Sequence, residues 1–288
     1  ALLAGLLLVP WAVCWLTASG ELDQEEVVAR QAQGEFVLFG PGLTQDIMAY
    51  KLALYAAVKP EVVVLGSSRA GNIRGIFFER PFVNMAGAAT DLESLRLLVD
   101  RMLAVHRPKV VLLGLDFWWL TAGAPAGHPG QAEPPARLDA ATLRAPWRWL
   151  AQGRMAPADM MAPLQGRFRA DRYGLEAQLR DTGYGPDGSL YEGAVLDGRL
   201  PAPDHAFART LRELESGSGA WAGSLEPDRE RLEAFAEICC RLRSRGIRTI
   251  VFLPPLATPV LGALADRNGG DAGWLSALRQ GLLDCGVE

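Results

Sequence analysis

Four largely apolar runs, rich in β-branched residues, alternate with helical patterns along the chain. The runs cover residues 62–65, 82–85, 110–113 and 247–253. Apolar runs of this length are typical of strands that are buried on both faces. Between the second and third runs, a capping box at 90–93 precedes apolar residues at helical spacing. The alternation predicts an α/β domain with a parallel, doubly wound sheet.

The N-terminal stretch is the most apolar part of the chain. Residues 1–18 contain no charge, and the first charged side chain is Glu21. Because about 20 apolar residues span a bilayer, we interpret residues 1–20 as a membrane anchor; a cleaved signal segment and a buried core helix are the alternatives. Trp11 and Trp15 lie where interfacial aromatic residues are common, and the acidic flank that follows disfavours the cytoplasm. We therefore predict that the rest of the chain lies on the extracytoplasmic side, in a periplasm or at the cell surface.

Residues 121–225 lack the regular alternation of the rest of the chain. Their first part is rich in Ala, Gly and Pro, and their second part is only weakly periodic. We predict a largely irregular insertion that covers the functional site, within one α/β domain of residues 21–288. We interpret its aromatic residues as a small satellite core, with a sugar-stacking platform as the alternative. The first step of a new strand near Glu288 predicts that the domain continues beyond this residue.

Charge and cysteine content narrow the function classes. The net charge of −4 and the lack of a basic stripe argue against a nucleic-acid partner. The cysteines are Cys14, Cys239, Cys240 and Cys285. No metal-binding spacing links them, and we interpret them as buried free thiols, with a bridge from Cys285 to the neighbouring pair as the alternative. The three histidines are too scattered to predict a metal site, and no cofactor is predicted.

Polar residues and glycines follow each of the first three predicted strands. They are Ser67, Ser68, Arg69 and Asn72 after the first, Asn84 and Gly87 around the end of the second, and Asp116 after the third. Because the carboxyl ends of parallel strands meet at one edge of a sheet, where ligands bind, we expect these residues to lie close together. Acyl transfer through a serine needs a nucleophile, a base and donors for the oxyanion. Ser68 is the candidate nucleophile and Gly87 a candidate backbone donor, whereas the candidate substrate contacts are Arg69, Asn72 and Asn84.

Two other chemistries fit the same loop less well. A hydroxyl-rich loop after a strand is a common anion site, but residues 67–72 lack the glycine spacing and the lysine of known phosphate loops. Residues 66–70 nearly fit the G-x-S-x-G nucleophile elbow of α/β-hydrolases. Several strands precede that elbow in its own fold, whereas only about 40 residues separate this loop from the N-terminal apolar stretch.

The loops resemble the first motif blocks of the SGNH, or GDSL-like, hydrolase superfamily. Gly66-Ser67-Ser68 is similar to the family's Gly-Asp-Ser block with Ser in place of Asp, a variant of its membrane-anchored, extracytoplasmic members, the DltD-like and polysaccharide O-acetyltransferase-like groups. The resemblance covers about residues 60–117. It implies a three-layer α/β/α, flavodoxin-like fold, with Ser68 as the nucleophile and Gly87 as the oxyanion donor of the second block.

The chain departs from this family at the oxyanion site and at the base. Asp116 stands where the third block has an Asn, and a carboxylate there repels an oxyanion unless it is protonated or turned aside to order Arg69 or the loop. The Asp-x-x-His motif that supplies the family's base is not found in these residues, and we expect it after a fifth strand, beyond Glu288. His106 lies in the last turn of a predicted helix, where positive charge suits the helix dipole, so we interpret it as structural.

The resemblance implies a serine O-acyl esterase or acyltransferase that acts on a cell-envelope carbohydrate. The implied partners are that carbohydrate or its acyl donor, the membrane through the N-terminal helix, and a membrane acyltransferase that hands over an acyl group. The alternative is a catalytically inactive binding or scaffold subunit of a polysaccharide-modifying complex, because Asp116 occupies the oxyanion position.

Overall fold

The computed structural model describes residues 2–42, 47–121, 140–199, 204–221, 228–268, 279, 280, 282 and 283. In chain order the helices are α1 (Leu2–Ala18), α2 (Gln24–Ala32), α3 (Ile47–Val58), α4 (Leu92–Val105), α5 (Ala140–Ala151), α6 (Leu175–Arg180), α7 (Gly193–Leu196), α8 (Ala208–Ser216), α9 (Arg229–Ser244) and α10 (Thr258–Asn268). The strands are β1 (Leu38–Phe39), β2 (Val62–Gly66), β3 (Phe82–Asn84), β4 (Val110–Gly114), β5 (Arg172–Tyr173), β6 (Thr182–Tyr184), β7 (Leu190–Glu192) and β8 (Arg248–Phe252). The chain divides into two compact units, a first unit of Ala1–Ala57 with Ala132–Leu200 and a second unit of Val58–Gln131 with Pro201–Glu288.

In its described residues, the second unit contains a sheet of four parallel strands in the order β3-β2-β4-β8. β2 pairs residue for residue with β4, from Val62 opposite Val110 to Gly66 opposite Gly114. All residues of β2 and β3 are buried, as their apolar character requires. The predicted α/β fold with a parallel sheet is therefore confirmed, and so is the pairing of the first predicted strand with the third.

Two helices of the second unit, α4 and α9, begin at carboxylate caps. At the start of α4, the Asp91 carboxylate accepts the Ser94 N–H at 2.7 Å, and the Ser94 hydroxyl accepts the Asp91 N–H at 3.1 Å. This capping box lies one residue later than the sequence predicted. At the start of α9, the Asp228 carboxylate accepts the Arg231 N–H at 3.0 Å. The two helices contact each other, and α9 also contacts β8, so their apolar faces form part of the core of this unit.

The first unit contains a second sheet, in the order β5-β1-β6-β7, that the sequence did not predict. β1 pairs in parallel with β5 and antiparallel with β6. The prediction of a largely irregular insertion is thus wrong for residues 140–199, which form helices and three of these strands. Strands of two or three residues are too short to show an alternating pattern, which explains the weak periodicity. Trp149 and Tyr173 are buried in this unit, and the satellite-core interpretation is confirmed for these two side chains.

The C-terminal half of α1 packs into the core of the first unit. Trp15 is fully buried, clusters with Trp149 and Leu175, and donates its indole N–H to the Asp159 carbonyl at 3.3 Å. Trp15 is therefore a core residue in this structure rather than an exposed interfacial aromatic. Over the described ranges, no helix is both long enough and apolar enough to cross a membrane.

Glu21, the first charge after the apolar stretch, is buried instead of facing solvent. Its carboxylate accepts the Gly42 N–H at 2.8 Å and the Leu175 N–H at 2.9 Å. Hydrogen bonds to an ionised group are among the strong ones in proteins, so Glu21 joins three distant segments of the first unit. From the sequence, Glu21 is interpreted only as part of an acidic flank. A sequence does not show which charged side chains accept hydrogen bonds from buried N–H groups.

The cysteines correct the prediction of free thiols. Cys240 is disulfide-bonded, and Cys285 lies outside the described residues. Cys239 is a buried free thiol, and burial raises its pKa to about 12. Cys14 is free but exposed. Of the cysteines that the structure describes, only Cys239 therefore matches the predicted buried free thiol.

A buried lysine, Lys51 on α3, predicts an unusual pH dependence of stability. Its ammonium donates to the Gly188 carbonyl and lies 4.0 Å from the centroid of the Tyr184 ring. Burial lowers its pKa to about 7, against the opposing effect of the Asp187 carboxylate. Between pH 7 and the ordinary lysine pKa, the unfolded chain binds more protons than the folded chain, so stability rises with pH.

We expect the free energy of unfolding of the wild-type protein to rise between pH 7.5 and 9.5 relative to Lys51→Met, by about 1 kcal/mol per pH unit. Urea unfolding of both proteins at several pH values measures this difference. Lys59→Met, which changes an exposed lysine, is the control and should give a curve parallel to the wild type. Parallel curves for Lys51→Met as well would contradict a lowered pKa at Lys51.

Candidate functional site

The loop after β2 begins at a glycine that no other residue can replace without strain. Gly66 has a φ of +132°, and a Cβ built there would lie 2.4 Å from the Gly114 carbonyl oxygen. The ends of β2 and β4 can approach this closely because position 66 is glycine. Gly66 therefore opens a tight turn at the carboxyl edge of the parallel sheet.

Ser68 starts a short 3₁₀ turn, Ser68–Ala70, immediately after this glycine. Ser67 caps the turn, because its hydroxyl accepts the Arg69 N–H at 3.2 Å. Ser68 itself is exposed, and its hydroxyl makes no hydrogen bond within the described part of the chain. An accessible hydroxyl at the carboxyl edge of the sheet is what a nucleophile at this position requires.

The sequence suggests the Gly87 N–H as a donor for an oxyanion, but this N–H is not free in the structure. Its N–H donates to the Gly66 carbonyl at 2.8 Å, which joins the loop after β3 to the end of β2. Gly87 has a φ of +84°, a conformation that glycine adopts without strain. The N–H that we expected to contact an oxyanion is thus engaged within the protein, and in this arrangement the role of Gly87 is to shape the edge of the site.

Asn84 was expected to contact substrate, but its side chain is fully buried. The amide nitrogen lies 2.9 Å from the Ala70 carbonyl oxygen, 3.2 Å from that of Gly71 and 2.9 Å from that of Ile73. The amide oxygen accepts the Ala86 N–H at 2.8 Å. Substrate binding by Asn84 is therefore wrong in this structure, because its polar atoms contact the backbone on the inner side of the Ser68 loop.

Arg69 and Asp116 form an ion pair with a separation of 2.5 Å between Nη1 and Oδ1. The other terminal nitrogen of Arg69 donates to the carbonyl oxygens of Pro254 and Pro255, each at 2.7 Å. The guanidinium also lies 5.3 Å from the ring centroid of Trp118. Arg69 thus connects the ends of three strands, and both of its terminal nitrogens bind protein groups rather than remaining free for substrate.

Asp116 is fully buried, whereas 24% of the Arg69 side chain is exposed. Burial raises the pKa of Asp116, and the Ser67 hydroxyl and the Arg69 guanidinium partly offset this rise. A carboxylate at position 116 could be protonated or could be turned aside to order Arg69. The structure shows the second arrangement, in which the carboxylate contacts Arg69. The carboxylate therefore acts as an anchor for the loop that carries Ser68.

A catalytic base is not among the side chains that the structure describes around Ser68. His106 ends α4 and lies 3.1 Å from the Pro60 carbonyl oxygen, at the edge of the sheet where β2 begins. This contact agrees with the structural role predicted for His106. The side chains of His128 and His205 lie outside the described residues. Over the described ranges, no group of three or more His, Cys, Asp and Glu side chains could hold a metal ion.

Asn72 and Pro254-Pro255 complete the surroundings of the loop. Asn72 is exposed, so its assignment as a substrate contact stays a prediction. The carbonyl oxygens of the two prolines accept from the Arg69 guanidinium. The sequence gives no signal for this contact, because Arg69 and Pro254 are 185 positions apart.

The candidate site presents the exposed Ser68 hydroxyl on a loop that two buried side chains, Asn84 and Asp116, hold in place. It provides a position for a nucleophile but no base among the described side chains, and the Gly87 N–H donates to the Gly66 carbonyl. No family model, no curated protein and no solved structure matches this chain.

Proposed function

We propose that this chain is part of an SGNH-like serine O-acyl esterase or acyltransferase that acts on a cell-envelope carbohydrate. The observation that carries the proposal is the exposed Ser68 hydroxyl on a glycine turn at the carboxyl edge of β2. If its strands are renumbered in chain order, the sheet β3-β2-β4-β8 has the order 2-1-3-4. The first four strands of a flavodoxin-like sheet have this same order, which supports the proposal. In such sheets ligands bind where the order reverses, which is here between β2 and β4.

The chemistry follows from this position. Ser68 attacks the carbonyl carbon of an ester, the alcohol leaves, and an acyl-enzyme forms; water then releases the acyl group in an esterase, or a sugar hydroxyl accepts it in a transferase. The Ser68 N–H makes no hydrogen bond in the described residues and is the candidate oxyanion donor. The resemblance implies an Asp-x-x-His motif as the base, which takes the Ser68 proton and returns it to the leaving alcohol; this motif is not found in the residues of this chain.

We also propose an extracytoplasmic location. The disulfide at Cys240 supports it, because structural disulfides form mainly in oxidising compartments. Attachment to a membrane through residues 1–20, and a membrane acyltransferase as partner, stay predictions. A reporter that is active only in the cytoplasm, fused after residue 30, should be inactive; an active fusion would contradict the proposed location.

A catalytically inactive scaffold subunit is the second candidate. Two observations favour it: the Gly87 N–H is engaged with the Gly66 carbonyl, and the buried Asp116 stands in the third-block position. A scaffold would use the same edge of the sheet to hold a carbohydrate without reacting with it. The two candidates differ in one respect, the reactivity of Ser68.

A fluorophosphonate probe applied to the full-length protein tests the leading proposal. We expect mass spectrometry to locate the adduct on Ser68 and not on Ser67, because only Ser68 has a hydroxyl that is both exposed and outside the loop's own hydrogen bonds. A full-length protein without an adduct, but with retained binding to an envelope polysaccharide, would favour the scaffold.

A further inference from the structure

The loop that carries Ser68 is fastened from inside the protein by one side chain. The Asn84 amide nitrogen lies within 3.2 Å of three carbonyl oxygens, those of Ala70, Gly71 and Ile73. All three follow Ser68 by two to five positions. Asn84 ends β3, the strand that pairs with β2, so the contact joins the loop to the neighbouring strand rather than to its own.

The orientation of the Asn84 amide is fixed by its surroundings. Its oxygen accepts the Ala86 N–H at 2.8 Å. A rotated amide would place that oxygen against three carbonyls and the NH₂ group against an N–H, which removes every favourable contact. The side chain is fully buried, so water cannot take over the carbonyls if the amide is lost.

Packing on the same side of the loop agrees with this role. Ala70 is buried in a cluster with Val64, Phe82 and Ala86. Among the described residues, the turn itself has two backbone hydrogen bonds, from the Ala70 N–H to the Ser67 carbonyl at 3.1 Å and from the Gly71 N–H to the Ser68 carbonyl at 2.9 Å, and one longer bond follows it, from the Ile73 N–H to the Ala70 carbonyl at 3.3 Å. A turn with so few bonds of its own depends on outside contacts for its position.

We propose that Asn84 is the positioning residue for Ser68. It sets where the Ser68 hydroxyl and N–H stand by holding the backbone that follows them, and it does not touch substrate. The consequence for acyl transfer rests on the proposed function, whereas the effect on the loop does not.

Asn84→Asp in the full-length protein tests this inference. The aspartate keeps the shape and the acceptor for the Ala86 N–H but loses both amide donors when ionised. The matched control is Ser94→Ala, which removes another buried hydrogen-bonding group, the Ser94 hydroxyl that accepts the Asp91 N–H and donates to the Asp91 carboxylate at the start of α4. Two quantities are measured: hydrogen exchange of the Ala70 and Gly71 amides, and the rate of fluorophosphonate labelling at Ser68.

For Asn84→Asp we expect exchange of the two amides to become about 10-fold faster or more, and labelling to become about 10-fold slower or more, because small displacements of a reacting group are costly. For Ser94→Ala we expect a loss in melting temperature similar to that of Asn84→Asp. Both measured quantities should nevertheless stay within about 2-fold of the wild type. If Asn84→Asp does not fold, Asn84→Ser keeps one donor and should show a smaller change in the same direction.

The two measurements separate the possible failures. Unchanged exchange at Ala70 and Gly71 in the folded variant overturns the inference, whatever the labelling shows. Faster exchange with unchanged labelling also overturns it, because Ser68 would then be placed without Asn84. If the wild-type protein takes no fluorophosphonate label but Asn84→Asp still makes the two amides exchange faster, the role of Asn84 in holding the loop is supported. That outcome counts only against the proposed enzyme.

Discussion

Ser68→Ala in the full-length protein should abolish fluorophosphonate labelling and ester hydrolysis while leaving the fold unchanged. The Ser68 hydroxyl is exposed and makes no hydrogen bond within the described residues, so its removal leaves no buried group unsatisfied. Loss of a nucleophile removes the covalent route entirely, and we expect the hydrolysis rate to fall by about 10³-fold or more. Labelling in gels, turnover of an aryl ester and the melting temperature are the measurements.

Ser67→Ala is the matched control, since it removes the adjacent hydroxyl. Ser67 caps the 3₁₀ turn through the Arg69 N–H and also lowers the pKa of Asp116. We therefore expect Ser67→Ala to retain labelling at Ser68 and to lower stability, by about 1 kcal/mol for a lost cap. Full-length protein that labels equally well with and without Ser68 would end the assignment of Ser68 as nucleophile.

The parallel sheet could be predicted from the sequence because its strands carry their own signal. β2 and β4 are five-residue apolar runs that end in glycines, and helical patterns separate the strands. The sheet of the first unit carries no such signal. β1 has two residues and pairs with β5, more than 130 positions later, so neither length nor neighbouring sequence reveals it.

The sequence predicts that the polar residues after the strands lie close together, but it does not predict what their side chains contact. Ser68, Arg69 and Asp116 lie at one edge of the sheet, as predicted. Whether a polar side chain after a strand points outward to substrate or inward to backbone depends on a turn of a few residues, which the sequence does not specify. Asn84 points inward, and Arg69 binds the protein at both terminal nitrogens.

Arg69→Ala should destabilise the protein because it leaves a buried carboxylate without its cation. Asp116 is fully buried, and its ion pair with Arg69 has a separation of 2.5 Å. Removal of one partner of a buried pair costs about 3 kcal/mol or more, which urea unfolding at pH 7.5 can measure. Arg80→Ala is the matched control: its pair with Glu61 has the same separation of 2.5 Å, but 60% of the Arg80 side chain is exposed. Exposed pairs contribute little, so this control should remain close to the wild type.

The pH dependence of the Arg69→Ala deficit distinguishes an unpaired charge from lost packing. Burial already holds the pKa of Asp116 above its usual value, and loss of the guanidinium raises it further. Below the raised pKa the folded variant binds a proton at Asp116 that the unfolded chain has released, and this binding favours the folded state. The deficit should therefore be full above the raised pKa and should shrink as the pH falls through it. A deficit that does not shrink at any lower pH at which both proteins still fold would mean that Arg69 stabilises the loop through its contacts with Trp118 and the proline carbonyls, and not by compensating Asp116.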